Sequence, residues 1–384
     1  MENDRPKFYH PELDCLRFVA FLSVFISHMV HPAARLDSTW KLILVRIIMS
    51  GIFGVDLFFC LSSFLITILL LREHDLRGSI DVRAFWMRRI LRIWPLYYLF
   101  LLLSATIIPY WLDKPQLCGW QLLNYWFFLG NWDCVVHGFF LAPAGPLWSI
   151  SVEEQFYLVW PLLLFFVKPK RILPLAVAAL VGANLFRLLY HPPDFVPQWT
   201  NTLYHVDSIA WGVIGACIVH TRRLNLPILL RSILLLIGVF TVPAYFVCHG
   251  FVQFFDGNDL TPYPVGSLCG LLIIMSLYNL KAVPWDNVFM KAWAYLGRIS
   301  YGLYVFHALA VAWVLHQAHA WGFYSGETTE MFTKGKLVMF ASAFVLTILL
   351  AWASYTFWET PFLKLKKKFT YIPSSPQPEG RGNT

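Results

Sequence analysis

Ten apolar stretches, separated by short polar or charged connections, run along the chain at about 13–31, 51–71, 94–111, 147–167, 172–190, 206–220, 228–248, 262–280, 294–317 and 336–357. Each is long enough, or nearly so, for a helix to cross the hydrocarbon core of a bilayer. The pattern predicts an all-α fold, a polytopic transmembrane helical bundle of about ten spans. A further stretch, GWQLLNYWFFLGN at 119–131, is short and aromatic. It reads as an interfacial or re-entrant piece of a long loop, since a true crossing there would invert every later segment.

Ionisable residues within such stretches are costly and mark candidate sites. His28 lies in LDCLRFVAFLSVFISHMVHP, eleven residues after Arg17. Eleven steps of 100° return to nearly the same helical azimuth, which places the two on one face, roughly 16 Å apart along the axis.

Charge adds orientation. Cytoplasmic loops carry the excess of Lys and Arg, and here the basic residues fall in alternate connections: 72–93 (Arg72, Arg77, Arg83, Arg88, Arg89, Arg92), 168–171, 221–227 (Arg222, Arg223) and 281–293 (Lys281, Lys291). The connections at about 112–146, 191–205, 249–261 and 318–335 hold few. Both termini are therefore expected on the cytoplasmic side, provided 119–131 does not cross. The composition agrees: 58% hydrophobic and 14% charged residues, with a mean hydropathy of +0.58, exclude an ordinary soluble domain. The net charge of +8 is then an orientation signal and not a nucleic-acid footprint, because the basic clusters are juxtamembrane.

The first stretch has no small-residue cleavage pattern after it, and Asp14 and Arg17 interrupt its apolar run, so it is expected to stay as a helix. Seven scattered cysteines form neither a disulfide framework nor a metal-spacing motif. Cys118 and Cys134 share one outward loop and could pair if that side is oxidising. The expected organisation is a cytoplasmic segment at 1–12, a membrane domain at 13–360 and a basic, then disordered, cytoplasmic tail at 361–384. On this organisation no attached soluble catalytic domain is expected, and the chemistry is expected to fall to the membrane domain.

Four polar clusters interrupt the apolar pattern, each with two readings. Asp14 and Arg17 make a self-neutralising pair at the inner interface, with His28 a helix-to-helix hydrogen bonder; alternatively His28 is a general base, poised near neutral pH. Arg88, Arg89 and Arg92 in RAFWMRRILRIWPLYY anchor the inner end of a span, or form a phosphate site to which the guanidinium fork is suited. In GPLWSISVEEQFYLVWP, Ser149, Glu153 and Tyr157 recur every four residues and share a face, while Ser151 and Glu154 point elsewhere. Their plainer reading is a loop-to-helix junction with Ser149 or Ser151 as N-cap and the glutamates favoured by the helix dipole. In YLGRISYGLYVFH, Arg298, Ser300, Tyr301, Tyr304 and His307 sit in a late span whose Gly297 and Gly302 allow close helix approach. Asp56, Ser62 and Ser63 of GVDLFFCLSSFLIT could line a polar cavity.

Taken together, these stretches resemble the integral-membrane O-acyltransferases called acyltransferase family three. The resemblance runs from LDCLR to the final span. It rests on the Arg17–His28 spacing, on Phe58, Phe59, Leu61, Ser62 and Phe64 of the FFxLSxF segment, on the RRxxRIxP segment, and on WSISVEEQFYLVWP and LGRISYGLYVFH. Where the family usually reads LDGLR and LSGF, this chain has Cys15 and Ser63, both small enough for close packing.

The resemblance implies about ten transmembrane helices, cytoplasmic termini, a multi-pass place in the bacterial cytoplasmic membrane, and transfer of an acyl group, commonly acetyl from acetyl-CoA, to a hydroxyl of a carbohydrate or glycosylated acceptor. It implies that His28 and Arg17 are essential and that Arg89 and Arg92, with Arg88 beside them, position the donor. Glu153 would tune His28 or bind the sugar, and Asp14, Ser149, Tyr157 and Tyr301 are candidate substrate-binding residues. Acyl-CoA, the carbohydrate acceptor and membrane lipids are the expected partners, with a separate extracytoplasmic protein as a possible addition; no metal and no nucleic acid are expected. The competing class is a proton-coupled transporter or flippase using the same His, Glu and Arg residues, but no inverted repeat or paired broken helices favour it.

Overall fold

The computed structural model describes residues 9–28, 38–140, 143–222, 226–285, 287–322 and 333–369. Over these the chain is helical, with no strand. The helices are α1 (Pro11–His28), α2 (Thr39–Met49), α3 (Gly54–Arg77), α4 (Val82–Ala105), α5 (Ile107–Leu112), α6 (Gly119–Trp126), α7 (Gly130–His137), α8 (Leu147–Phe166), α9 (Ile172–Leu189), α10 (Phe195–Trp199), α11 (Val206–Thr221), α12 (Ile228–His249), α13 (Val252–Phe255), α14 (Pro262–Leu277), α15 (Val288–Arg298), α16 (Ser300–Ala320), α17 (Lys334–Ala353) and α18 (Thr360–Lys366). A helix or a bent helix pair lies at each of the ten apolar stretches, although α11 and α14, of 16 residues each, are shorter than a full crossing.

Among the described residues four helices are long and apolar enough to cross a membrane, five if the bent pair α15–α16 counts as one. The long helices α1, α4 and α8 are interrupted by the charged side chains from which a site is built. The outer faces of α9, α12 and α17 carry rows of exposed Leu, Ile, Val and Phe. Such faces suit a lipid solvent, and the protein is a multi-pass membrane protein.

Several boundaries differ from the sequence reading, each for a local reason. The basic connection at 72–93 is mostly helix: α3 runs on to Arg77, stops at Gly78 with a left-handed φ of 73°, and α4 starts after Asp81, whose carboxylate accepts from Ala84 N at 2.9 Å. Glu73 secures this turn by accepting from Asp81 N at 2.9 Å and pairing with Arg88 at 3.1 Å. Pro95 consequently lies deep inside α4 and not near its start. The late span at 294–317 is bent by 72° at Ile299. Where α15 crosses α1, a Cβ on Gly297 would stand 1.8 Å from the Asp14 carbonyl oxygen, so glycine is required there. The basic tail begins as helix α18, after a π-helical segment Ser354–Glu359; residues 370–384 lie outside the described residues.

The 119–131 stretch forms α6 and the start of α7, two eight-residue helices each roughly 12 Å long and too short to cross alone. The carbonyls freed at the break between them are taken by side chains of neighbouring long helices: Tyr97 donates to Tyr125 O at 2.6 Å, Tyr98 to Trp126 O at 3.0 Å and Gln155 to Phe128 O at 2.9 Å. Non-helical backbone at membrane depth is tolerable when satisfied in this way. Cys118 and Cys134 are free thiols, the first exposed and the second buried, so the pairing is not formed.

A buried polar knot joins α3, α9, α11 and α14. Arg187 pairs with Asp207, which also accepts from Ser267 at 2.9 Å. Asp56 accepts from His205 at 2.8 Å and from Ser208, and the other ring nitrogen of His205 donates to Trp199 O at 2.6 Å. Asp56 is thus committed to this knot and is absent from the cavity described next.

Candidate active site

α1, α3, α4, α8 and α16 surround a cavity of about 670 Å³, counted with its open mouth. Arg17 of α1, Ser62 of α3, Arg89 and Arg92 of α4, Ser149, Glu153 and Tyr157 of α8, and Tyr301 and Tyr304 of α16 line it. The four-residue spacing on α8 sets its three polar side chains along one wall. Ser149 and Ser151 are not caps: α8 already begins at Leu147, and Ser151 turns back onto Leu147 O at 3.4 Å.

Glu153 accepts from Ser62 at 2.8 Å and from Tyr157 at 2.9 Å, so both carboxylate oxygens are held. Its neighbour Glu154 points away from the cavity, accepting from the Trp94 indole at 2.9 Å. Arg17 is bonded to Asp14 at 2.7 Å. Asp14 itself lies outside the cavity lining, behind the arginine that it orients. Tyr301 donates to Ile93 O at 2.9 Å, two residues before Pro95.

The three arginines of α4 have different fates. Arg88 is spent on structure, bonded to Glu73 and donating to Phe369 O at 2.7 Å, and it does not line the cavity. Arg89 packs its guanidinium over the Tyr157 ring at 5.3 Å, and its buried Nε has no hydrogen-bond partner among the described residues. Arg92 stands beside it in the wall. Lys366 of α18 lies within electrostatic reach of Arg17, Arg88, Arg89 and Arg92, which the sequence pattern gave no reason to expect. Crowded cations of this kind make a site for an anionic ligand, above all for phosphate.

His28 is the last described residue of its segment and does not line the cavity. A row of polar side chains connects the two. Ser149 Oγ and Tyr304 Oη are 2.6 Å apart at the cavity wall; the Tyr304 ring lies 5.3 Å from the His307 ring, and His307 lies 5.2 Å from His28. His28 Nδ1 is 2.8 Å from Val24 O. A carbonyl can only accept, so Nδ1 carries a proton, and in the neutral ring Nε2 is then the nitrogen with the lone pair. His307 was legible in the sequence only as one polar residue of a late span; its closeness to His28 is a tertiary fact. Among the described residues no group of three or more His, Cys, Asp or Glu converges as metal ligands would.

Comparison with known proteins places this geometry. O-acetyltransferase OatA of Staphylococcus aureus is 27% identical over 390 residues, covering 95% of this chain and 59% of that protein. Peptidoglycan O-acetyltransferase OatA of Listeria monocytogenes is 25% identical over 322 residues, covering 78% of this chain and 49% of that protein. The chain therefore spans about half to three-fifths of the length of these relatives. No solved structure matches it. A profile for the acyltransferase domain matches residues 10–356, from just ahead of α1 into the π-helical segment, and so takes in every cavity-lining residue. On that match the chain belongs to the acyltransferase domain family, the acyltransferase family three whose motifs it carries.

Proposed function

We propose that this protein is a membrane-bound O-acetyltransferase that moves an acetyl group from acetyl-CoA to a hydroxyl of a carbohydrate, with a cell-wall or other surface glycan as the acceptor. The observation that carries the reading is the cavity itself: Arg89, whose buried Nε has no hydrogen-bond partner among the described residues, and Arg92 line it, and a row of polar side chains runs from its wall to a histidine whose Nδ1 is tied to Val24 O. The name of the Listeria relative supports a glycan acceptor.

In this reading the donor's phosphates lie against Arg89, Arg92 and Lys366, and its pantetheine arm follows the cavity past Tyr157 and Glu153. His28 Nε2 is the reacting nitrogen, either as base toward the acceptor hydroxyl or as carrier of the acyl group. Arg17, held by Asp14, adds positive charge at the donor end. Glu153, fixed by Ser62 and Tyr157, orients Arg89 and the polar wall. Arg88 serves by tying the turn that follows α18 to α4. The protein sits in the bacterial cytoplasmic membrane with ten crossings and both ends inside, so the donor enters from the cytoplasm and the acceptor meets His28 near the far side.

The test compares membranes holding wild type and His28→Ala at matched protein level, without an ion gradient. The expected result is histidine-dependent loss of labelled acetyl-CoA and gain of ester-linked acetate on extracted glycan. Labelling independent of His28, or none from acetyl-CoA, would sink the proposal; transport of a glycan without ester formation would support the transporter class instead.

A further inference from the structure

The two adjacent histidines ask for separate roles. His307 is buried, 1% exposed, yet its Nε2 has no hydrogen-bond partner among the described residues. A buried polar atom left unpaired is destabilising and calls for a partner. Its Nδ1 is bonded to Tyr304 O, three residues back on the same helix. As at His28, the carbonyl can only accept, so Nδ1 is the protonated nitrogen and Nε2 presents a lone pair. The rings of Phe21, Tyr304 and His28 surround it. A histidine serving only to join helices would use Nε2 to do so. Here two imidazoles, with ring centroids 5.2 Å apart at 75°, each place Nδ1 on a carbonyl of their own helix, and among the described residues neither Nε2 is hydrogen-bonded.

We propose that His307 is the base that takes the acceptor's proton, while His28 carries the acyl group. The inference rests on the O-acetyltransferase reading above and deepens it. In the first half, His28 Nε2 attacks the thioester carbonyl; a C–N bond forms, the C–S bond breaks and the thiolate leaves. His28 becomes an acyl-imidazolium whose Nδ1–H still donates to Val24 O. Its Nε2 lone pair is now in the new bond, so His28 cannot also act as base. In the second half the acceptor oxygen attacks the acyl carbon, its proton passes to His307 Nε2, and the C–N electrons return to His28 Nε2. His307 then releases the proton, which balances the thiolate formed earlier. The sum is thioester plus alcohol giving ester plus thiol.

The experiment uses the full chain in detergent with acetyl-CoA labelled in the acetyl group, with and without N-acetylglucosamine oligomers as acceptor. Protein-bound label and ester product are both measured after rapid denaturation. His307→Gln keeps a polar side chain of similar reach but removes the base, and His307→Asn is the second variant. Wild type is expected to transfer label to the oligomers. Both His307 variants should retain hydroxylamine-sensitive label on the protein while ester formation falls about a hundredfold, the scale of a lost general base. His28→Ala should show neither. A merely structural role would not make label accumulate on the protein. Ester formation comparable to wild type in either His307 variant overturns the inference, as does loss of both signals in variants that elute and melt like wild type. Transfer by His28→Ala, or no transfer by wild type, would instead overturn the O-acetyltransferase reading on which the inference rests.

Discussion

Arg88, Arg89 and Arg92 are equivalent as letters and unequal as atoms. Arg88 is consumed by Glu73 and the Phe369 carbonyl, whereas Arg89 and Arg92 face the cavity. Arg89→Gln and Arg92→Gln should therefore each raise the KM for acetyl-CoA roughly tenfold or more, the worth of one charge-assisted hydrogen bond. Arg88→Gln should leave that KM nearly unchanged and lower the thermal midpoint in detergent. Steady-state kinetics on the three purified variants decide the matter; a KM effect at Arg88 alone would misplace the donor. Glu153→Gln keeps the shape but weakens the acceptance from Ser62 and Tyr157, and should lower kcat more than it changes folding. A destabilised protein with unaltered kcat would make Glu153 purely structural. Cys15 and Ser63 show how small departures are absorbed. Ser63 is fully buried and bonds to Cys60 O at 3.0 Å, and it fits because the facing residue on α11 is Gly212, where a Cβ would come 2.0 Å from its hydroxyl.

At the scale of elements, apolar periodicity located the long helices, and their ends depended on capping and contact. The helical character of 72–93 was hidden because arginines read as loop when hydropathy alone is followed; Gly78 and Asp81 held the signal for a short turn between two helices. The bend between α15 and α16 had no comparable signal, since it depends on Gly297 meeting the Asp14 backbone of another helix. Gly297→Ala should cost roughly 2 kcal/mol or more through overpacking, measured as reduced thermal stability in detergent. Because the same crossing sets Arg17 against the cavity, the donor KM should rise as well; unchanged stability would mean that α1 and α15 do not cross this closely in the membrane. α2 was missed for a different reason. It is an eleven-residue helix with Trp40, Ile43 and Ile47 exposed that runs through Ser50–Phe53 into α3 as one helical stretch from Thr39 to Arg77, and its Lys41 and Arg46 set it apart from the apolar run that follows.

For the whole molecule, orientation and internal charge are the quantities at stake. Cys118 is exposed between α5 and α6, in a connection poor in basic residues. A membrane-impermeant maleimide should label it in intact cells when the other exposed cysteine, Cys248, is replaced by serine, and adding Cys118→Ser should abolish that labelling. Labelling only after permeabilisation would invert the proposed topology and put the donor arginines on the wrong side of the membrane. The Arg187–Asp207 pair tests cohesion. Both side chains are almost fully buried, 2% and 1% exposed, so Arg187→Met leaves an uncompensated carboxylate and should cost about 3 kcal/mol. Arg187→Met combined with Asp207→Leu should recover part of the loss, whereas a single change without effect on melting would deny the pair its place in the fold.

Hydropathy was enough to declare a helical membrane protein, because a bilayer forces the backbone to satisfy itself and so imposes long apolar runs that can be read one residue after another. The spacing of Ser149, Glu153 and Tyr157 was likewise legible, since a single helix decides which of its own residues share a face. What the chain order could not convey was which charges would find partners across helices. Arg88 and Asp56 are taken up by Glu73 and His205, while Arg89 and His307 each keep a buried nitrogen unpaired among the described residues. Those outcomes depend on distances between segments up to hundreds of residues apart, and only the packed bundle supplies them.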